Sequence, residues 1–342
     1  MILKERIEAL IQLGKELTPD NDRLQSAIRR TQQTNGWLTA ENQWHAINAI
    51  RTYFLDRARL SAWIAPYNIP ESGTPNPKTV SLVLAGNIPA VGFHDVLCMF
   101  VAGHKAKIKV SDKDPFLMPC IINNLIDINP AAAAYFEVVD GKMGDFDAVI
   151  ATGSNNSARY FESYFGKYPH IIRKNRNAVA ILRGDENEAD FRKLGADIFT
   201  YFGLGCRNVS KIYVPESYNF EPLLEILHEN KELVLHDKYK NNFDYQFTLV
   251  ILNKLKYQSN GCLMMIENEG IASPIAMVFY EYYADLEDLT RILTGRADEI
   301  QCIVSKQSVV GIPSFDFGEA QKPSLTDYAD GVDTLAFLMT LN

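Results

Sequence analysis

Very little in this chain of 342 residues points to export, a membrane span or nucleic acid. Its five cysteines, an odd number with no CxxC spacing, do not make a disulfide framework. Combined with the six histidines they give no zinc signature, so the thiols are expected to be reduced and the protein cytoplasmic. The opening Met1-Ile-Leu-Lys-Glu-Arg-Ile-Glu8 places charges too early for a signal-peptide core. No apolar run approaches the roughly 20 residues that cross a bilayer, which predicts a chain without a membrane span. A formal charge of −8 and the lack of a long Lys/Arg cluster argue against nucleic acid as the principal partner. Neither GxGxxG nor GxxxxGK[ST] occurs, and there is no internal repeat or low-complexity tract.

What is present is 47% hydrophobic sequence, enough for two cored domains. Residues 1 to about 65 carry apolar positions at three- and four-residue spacings, among them Ile7, Leu10, Ile11, Trp44, Ile47 and Ile50, the pattern of amphipathic helices. The Pro-rich stretch Tyr67–Pro77 then suits a loop or projecting arm. After it, apolar strand-like runs such as 79–84, 106–110 and 147–151 alternate with helical ones at 91–101, 116–126 and 155–165. Such alternation implies βαβ units and a parallel sheet covered on both faces, a doubly wound nucleotide-binding domain. A second α/β series follows from 178. The expected division is an N-terminal helical segment and arm (1–75), a dinucleotide-binding domain (76–177), a catalytic thiol domain (178–308) and a C-terminal tail (309–342).

The best nucleophile candidate is Cys206, in Tyr201-Phe-Gly-Leu-Gly-Cys-Arg-Asn-Val-Ser210, where glycines lead into a thiol just before an apolar run. On a Gly-flanked turn a thiol is reachable, and a helix starting just after it would favour the thiolate that attacks carbonyls. A cysteine is as readily a small buried hydrophobe. Asn87 follows the first strand, where a parallel sheet places its ligands; its amide suits an oxyanion, or merely shapes the turn before Pro89. Lys109 and Ser111 end the second strand, where a dinucleotide's ribose or 2′-phosphate commonly lies, though a solvated lysine produces the same pattern. In Ala151-Thr-Gly-Ser-Asn155, Gly153 frees the backbone and Ser154 or Asn155 caps a helix whose N-terminus suits phosphate. His94, His104 and His170 each offer a base, yet lone histidines usually pack, and none is assigned. Acidic stretches such as Asp185–Glu188 read as solvated helix starts.

Asn87-Ile-Pro89, Lys109-Val-Ser111, Thr152-Gly-Ser154 and Gly205-Cys206 occur in the order and approximate separations of the aldehyde dehydrogenase superfamily. Within it the chain resembles the long-chain acyl-CoA reductase family, typified by the fatty acid reductase of bacterial luminescence. The similarity runs from about residue 80 onward, with Ala85–Asp95, Gly203–Ser210, Phe317–Pro323 and Asp327–Asp333 the most specific blocks. It implies an aldehyde dehydrogenase-like fold of two α/β domains. It further implies that Cys206 is the acyl-accepting thiolate, that Asn87 and the Cys206 N–H form the oxyanion hole, and that Lys109, Ser111, Thr152, Gly153 and Ser154 line the site of NADPH, with NADH the alternative. The donor would be a long-chain acyl-CoA or an acylated carrier or enzyme, the product a fatty aldehyde, and the assembly a homo-oligomer. Luminescence itself does not follow from the resemblance.

Two departures from the hydrolytic members matter. Ile171-Ile-Arg-Lys-Asn-Arg-Asn177 contains no acid where they carry a general-base glutamate, which favours acyl transfer and reduction over aldehyde oxidation. The cofactor-ribose glutamate, expected shortly before Pro274, is replaced by Glu269-Gly-Ile-Ala-Ser273, so this contact is shifted or absent. An aldehyde-oxidising dehydrogenase and a non-catalytic acyl-binding subunit are the competing readings.

Overall fold

A computed structural model describes residues 1–306 and 312–341. The expected boundary at 308/309 lies outside the described residues. The chain divides into two compact units, one of Met1–Asn175 together with the C-terminal stretch from Pro323, the other of Arg176–Lys322.

The first unit opens with helices α1 (Leu3–Glu16), α2 (Asp22–Thr34), α3 (Ala40–Ala49) and α4 (Arg57–Ile64). Its sheet is formed by β1 (Thr79–Val83), β2 (Lys105–Lys109), β3 (Phe136–Val138), β4 (Ala148–Thr152) and β5 (His170–Arg173) in the order β3-β2-β1-β4-β5, all parallel. Between the strands run α5 (Phe93–Ala102), α6 (Leu117–Ile128) and α7 (Asn155–Phe165). β1 and β4 are almost entirely buried, as expected of parallel strands covered on both faces. The N-terminal helices are not a detached segment. Leu10, Leu13, Ile28, Ile47 and Trp63 share one core with Val80, Leu82, Phe100 and Ile150. Fully buried Arg6 ties α1 to the end of α5 through a 3.1 Å bond to the Val101 carbonyl.

The second unit contains β6 (Asn177–Ile181), α8 (Glu188–Phe199), β7 (Val209–Pro215), α9 (Glu221–Leu227), α10 (Asp237–Leu252), β8 (Gln258–Ser259), β9 (Met264–Glu267), β10 (Met277–Tyr283), α11 (Leu286–Gly295), β11 (Ile300–Val304) and β12 (Ser314–Phe315). Its sheet order is β12-β11-β6-β7-β10-β9-β8, parallel except for the antiparallel β8 edge. Ile212 and Val214 face a core with α8 and α9, while Tyr213 faces another with Leu289 and Leu293 of α11.

The expected C-terminal tail is therefore split. Its first part adds strand β12 to the second unit, and α12 (Thr334–Met339) returns to the first. The reason is a polar anchor within the first unit. Buried Arg173 pairs with buried Asp95 through bonds of 2.5 and 2.9 Å and reaches the Thr334 hydroxyl at 2.8 Å.

Candidate active site

In the first unit the strand order reverses direction between β1 and β4, so a crevice is expected beyond their C-terminal ends. Asn87 lies half-buried on the loop leaving β1. Leu84 N–H extends the ladder by donating to the Lys109 carbonyl at 3.0 Å, which holds the start of this loop against the end of β2. At Gly86 the loops touch: a Cβ there would lie 2.6 Å from Ser111 Oγ and 2.7 Å from Ser111 Cβ, so only glycine fits without displacement. Asp114, buried behind both loops, accepts from Ala90 N–H at 3.0 Å and Leu117 N–H at 3.4 Å. Ala90 has a left-handed φ of 52°, and the Asp114 bond holds it there. Burial raises the Asp114 pKa, and these two amides oppose the rise.

Thr152 ends β4, and Gly153 N–H continues toward β5 by donating to the Arg173 carbonyl at 3.3 Å. Ser154 caps α7, its Oγ accepting from Ser157 N–H at 3.2 Å. Lys109 is exposed at the end of β2 and Ser111 is half-buried just beyond. The structure thus brings Asn87, Lys109, Ser111, Thr152, Gly153 and Ser154 to the C-terminal edge of one parallel sheet.

His94, His104 and His170 each have packing or hydrogen-bond partners. His94 lies among the rings of Phe54, Trp63 and Tyr328, with centroids 5.1, 5.8 and 5.1 Å away. Burial pushes its pKa down to about 4. His104 bridges Lys78 N–H and the Leu338 carbonyl. His170 contacts the Tyr168 carbonyl beside it.

In the second unit Cys206 occupies the turn that enters β7, at the opposite, N-terminal end of its strand. No helix follows it: Val209 begins a strand, so the helix N-terminus that would have favoured the thiolate is not there. The turn is built by other means. Tyr201, Phe202 and Gly203 take consecutive left-handed conformations, with φ of 55, 58 and 77°. Buried Asn208 then ties the turn together. Its amide nitrogen donates to the Asp197, Ile198 and Thr200 carbonyls at 3.0, 3.2 and 2.8 Å, and its oxygen accepts from Gly205 N–H at 2.8 Å. One side chain thereby satisfies the carbonyls at the end of α8, which would otherwise direct negative charge toward the turn, and fixes the residue preceding Cys206. The His236 ring stacks on Phe202 at 4.4 Å and braces the left-handed step.

Cys206 is exposed, whereas Cys98, Cys120, Cys262 and Cys302 are buried. Beneath the turn, Phe199, Phe202, Tyr239, Leu263 and Met277 line a crevice of about 20 Å³, water-sized rather than chain-sized. Glu269 is exposed, and its carbonyl accepts from Arg296. Of the residues that build the site, Asn208, Asp114 and His236 went unassigned in the sequence. Asn208 stood in the nucleophile block as one more polar residue, and its fourfold bonding exists only in three dimensions.

No protein-family model matches the chain. It is 23% identical over 206 residues to a long-chain acyl-protein thioester reductase 2 of Photobacterium leiognathi, covering 54% of this chain and 42% of that one. The match therefore spans less than half of the relative's length. The fold is shared with an oxidoreductase from Marinobacter aquaeolei (TM-score 0.68, 12% identity, 95% of this chain and 79% of that one). It is shared equally with aldehyde dehydrogenase 21 from Physcomitrella patens, whose structure holds the reaction product succinate (TM-score 0.69, 14% identity, 100% and 84%). Betaine aldehyde dehydrogenase from Staphylococcus aureus, in complex with NAD+, gives a TM-score of 0.64 at 14% identity over 94% and 73%. The fold is aldehyde dehydrogenase-like, and the sequence resembles a long-chain acyl-protein thioester reductase.

Proposed function

We propose that the protein is an oxidoreductase that reduces long-chain acyl thioesters to fatty aldehydes through an acyl-Cys206 intermediate. The observation that carries this reading is the exposure of Cys206 alone among five cysteines, on a turn immobilised by Asn208. The Cys206 thiolate attacks the thioester carbonyl, forming a new C–S bond and releasing CoA or a carrier thiolate, which takes a proton from solvent. The Cys206 N–H donates to the oxyanion at each tetrahedral stage. A nicotinamide supplies hydride when bound. The Gly86 cradle suits close backbone approach of such a group, Lys109 and Ser111 its ribose or 2′-phosphate, and Thr152, Gly153 and Ser154 its diphosphate; Lys109 favours NADPH over NADH. Collapse of the thiohemiacetal oxyanion releases aldehyde and returns the thiolate.

Aldehyde oxidation to acid needs a water-activating base, and the 171–177 segment offers none. Its Arg173 is consumed by Asp95, and its Lys174 pairs with Glu162 at 2.9 Å. The test is to incubate the purified protein with tetradecanoyl-CoA and NADPH or NADH, trapping aldehyde, with Cys206→Ala in parallel. Cysteine-dependent aldehyde with matching NADPH consumption is the expected result. No aldehyde from tetradecanoyl-CoA or from the same acyl group on acyl carrier protein would overturn the reading.

A further inference from the structure

Arg207, next to the nucleophile, directs its side chain into the segment 315–321 of its own unit. Its Nε donates to the Ala320 carbonyl at 3.2 Å, and its guanidinium carbon lies 4.7 Å from the centre of the Phe315 ring. Its Nη1 is buried and has no hydrogen-bond partner, and no carboxylate pairs with the guanidinium among the described residues. Gln321, the residue after Ala320, has a second such donor, a buried Nε2 without a partner. Buried donors left unpaired are costly, one on a cation most of all.

The segment that carries them is held firmly. Asp197 of α8 accepts from Gly318 N–H at 2.6 Å and Ala320 N–H at 3.1 Å, so both of its oxygens are engaged by backbone. Glu319 and Lys322 neutralise each other at 2.7 Å. Arg207 is bonded at Ala320 and Gln321 is the next residue, so two unpartnered donors, one of them charged, belong to one short stretch of the fold.

We propose that Arg207 Nη1 and Gln321 Nε2 form an oxyanion-binding site beside the Cys206 turn, for a ligand group of the carboxylate or phosphate class. A guanidinium and a primary amide present N–H donors suited to two oxygens of one anion. The site does not depend on the thioester reaction and is tested without turnover.

The probe is the rate of Cys206 alkylation, read by peptide mass spectrometry, with anionic iodoacetate and neutral iodoacetamide at constant ionic strength. A site makes the iodoacetate rate saturable with concentration, whereas a stray positive charge makes it faster but linear; iodoacetamide is linear in either case. Arg207→Gln is expected to abolish saturation and slow iodoacetate about tenfold, the loss of one charge-assisted bond, while iodoacetamide changes less than twofold. Gln321→Leu, which keeps the charge, is expected to raise the half-saturating concentration severalfold. Inorganic phosphate that slows iodoacetate but spares iodoacetamide assigns the site to phosphates; saturation unaffected by phosphate assigns it to carboxylates. A linear iodoacetate rate in the unsubstituted protein overturns the proposal, as does saturation that survives in both variants. Arg207→Lys and thermal melting of each variant separate loss of the site from loss of the fold. Aldehyde formation without saturable alkylation would retire this site and leave the reductase reading standing; the converse would do the opposite.

Discussion

The two units place their candidate chemistry at opposite ends of parallel strands. In the first, Asn87, Lys109, Ser111 and Gly153 sit beyond the C-terminal ends, where strand reversal opens a crevice by topology alone. In the second, Cys206 precedes β7 at the N-terminal end, where the sheet offers no such crevice and a helix end arrives carbonyl-first. The contrast shows how much has to be added at each place. The first edge needs a glycine at 86 and a buried carboxylate at 114 to set its loops. The second needs three left-handed residues and one asparagine bonded to four backbone groups.

The largest test of this contrast is chemical. Cys206→Ala is expected to lower aldehyde formation at least a thousandfold while leaving cofactor binding to the first unit unchanged, checked by single-turnover kinetics and cofactor fluorescence titration. Next comes the anchor of the first unit. Arg173→Met leaves Asp95 buried without its cation and should cost about 3–5 kcal/mol, measured by denaturant unfolding. Asn208→Ala leaves three carbonyls and one N–H of the turn unmatched, an expected loss of about 1–3 kcal/mol together with slower Cys206 alkylation.

The pH response separates the two units, because a buried group in each shifts in a different direction. His94 is lowered from 6.5 to about 4, chiefly by burial, so the stability it contributes is present above pH 6.5 and is lost as pH falls through about 4. Asp197 is raised from 3.8 to about 6, again by burial, so its contribution is full below pH 3.8 and is lost as pH rises through about 6. Unfolding free energies measured from pH 4 to 7 should lose acid sensitivity in His94→Phe and lose the opposing slope in Asp197→Asn, each by at most a few kcal/mol. The smallest expected effect is at Gly86→Ala, whose Cβ displaces Ser111 and should weaken cofactor binding severalfold with unfolding nearly unchanged, read by titration.

Elements with a clean periodicity were legible in the sequence: the helix expected at 155–165 and the strand at 147–151 stand as α7 and β4. Four strands, β5, β8, β9 and β12, were not legible; β8 and β12 are two residues each. β5 is four residues with a polar residue at each end, and β9 is a run of methionine and isoleucine with neither alternation nor β-branched dominance. The strand ends around Asn87, Ser111 and Gly153 were readable because a parallel sheet exposes one edge in register with its βαβ pattern. The supports of the Cys206 turn were not: Asn208 acts through four backbone groups 3 to 11 residues before it, Asp197 through Ala320, 123 residues away, and His236 through Phe202, and no periodic pattern encodes such pairings.

The return of α12 to the first unit bears on the order in which the protein is made. Thr334 meets Arg173, the Leu338 carbonyl meets His104, and Tyr328 meets Trp63, so the earlier-synthesised half of this core waits on residues translated more than 150 positions later. The second unit lies wholly between, so all of its residues are synthesised before those of α12. Nascent chains should therefore protect the Cys206 turn from protease before they protect His94 and its neighbouring rings, whose core awaits α12.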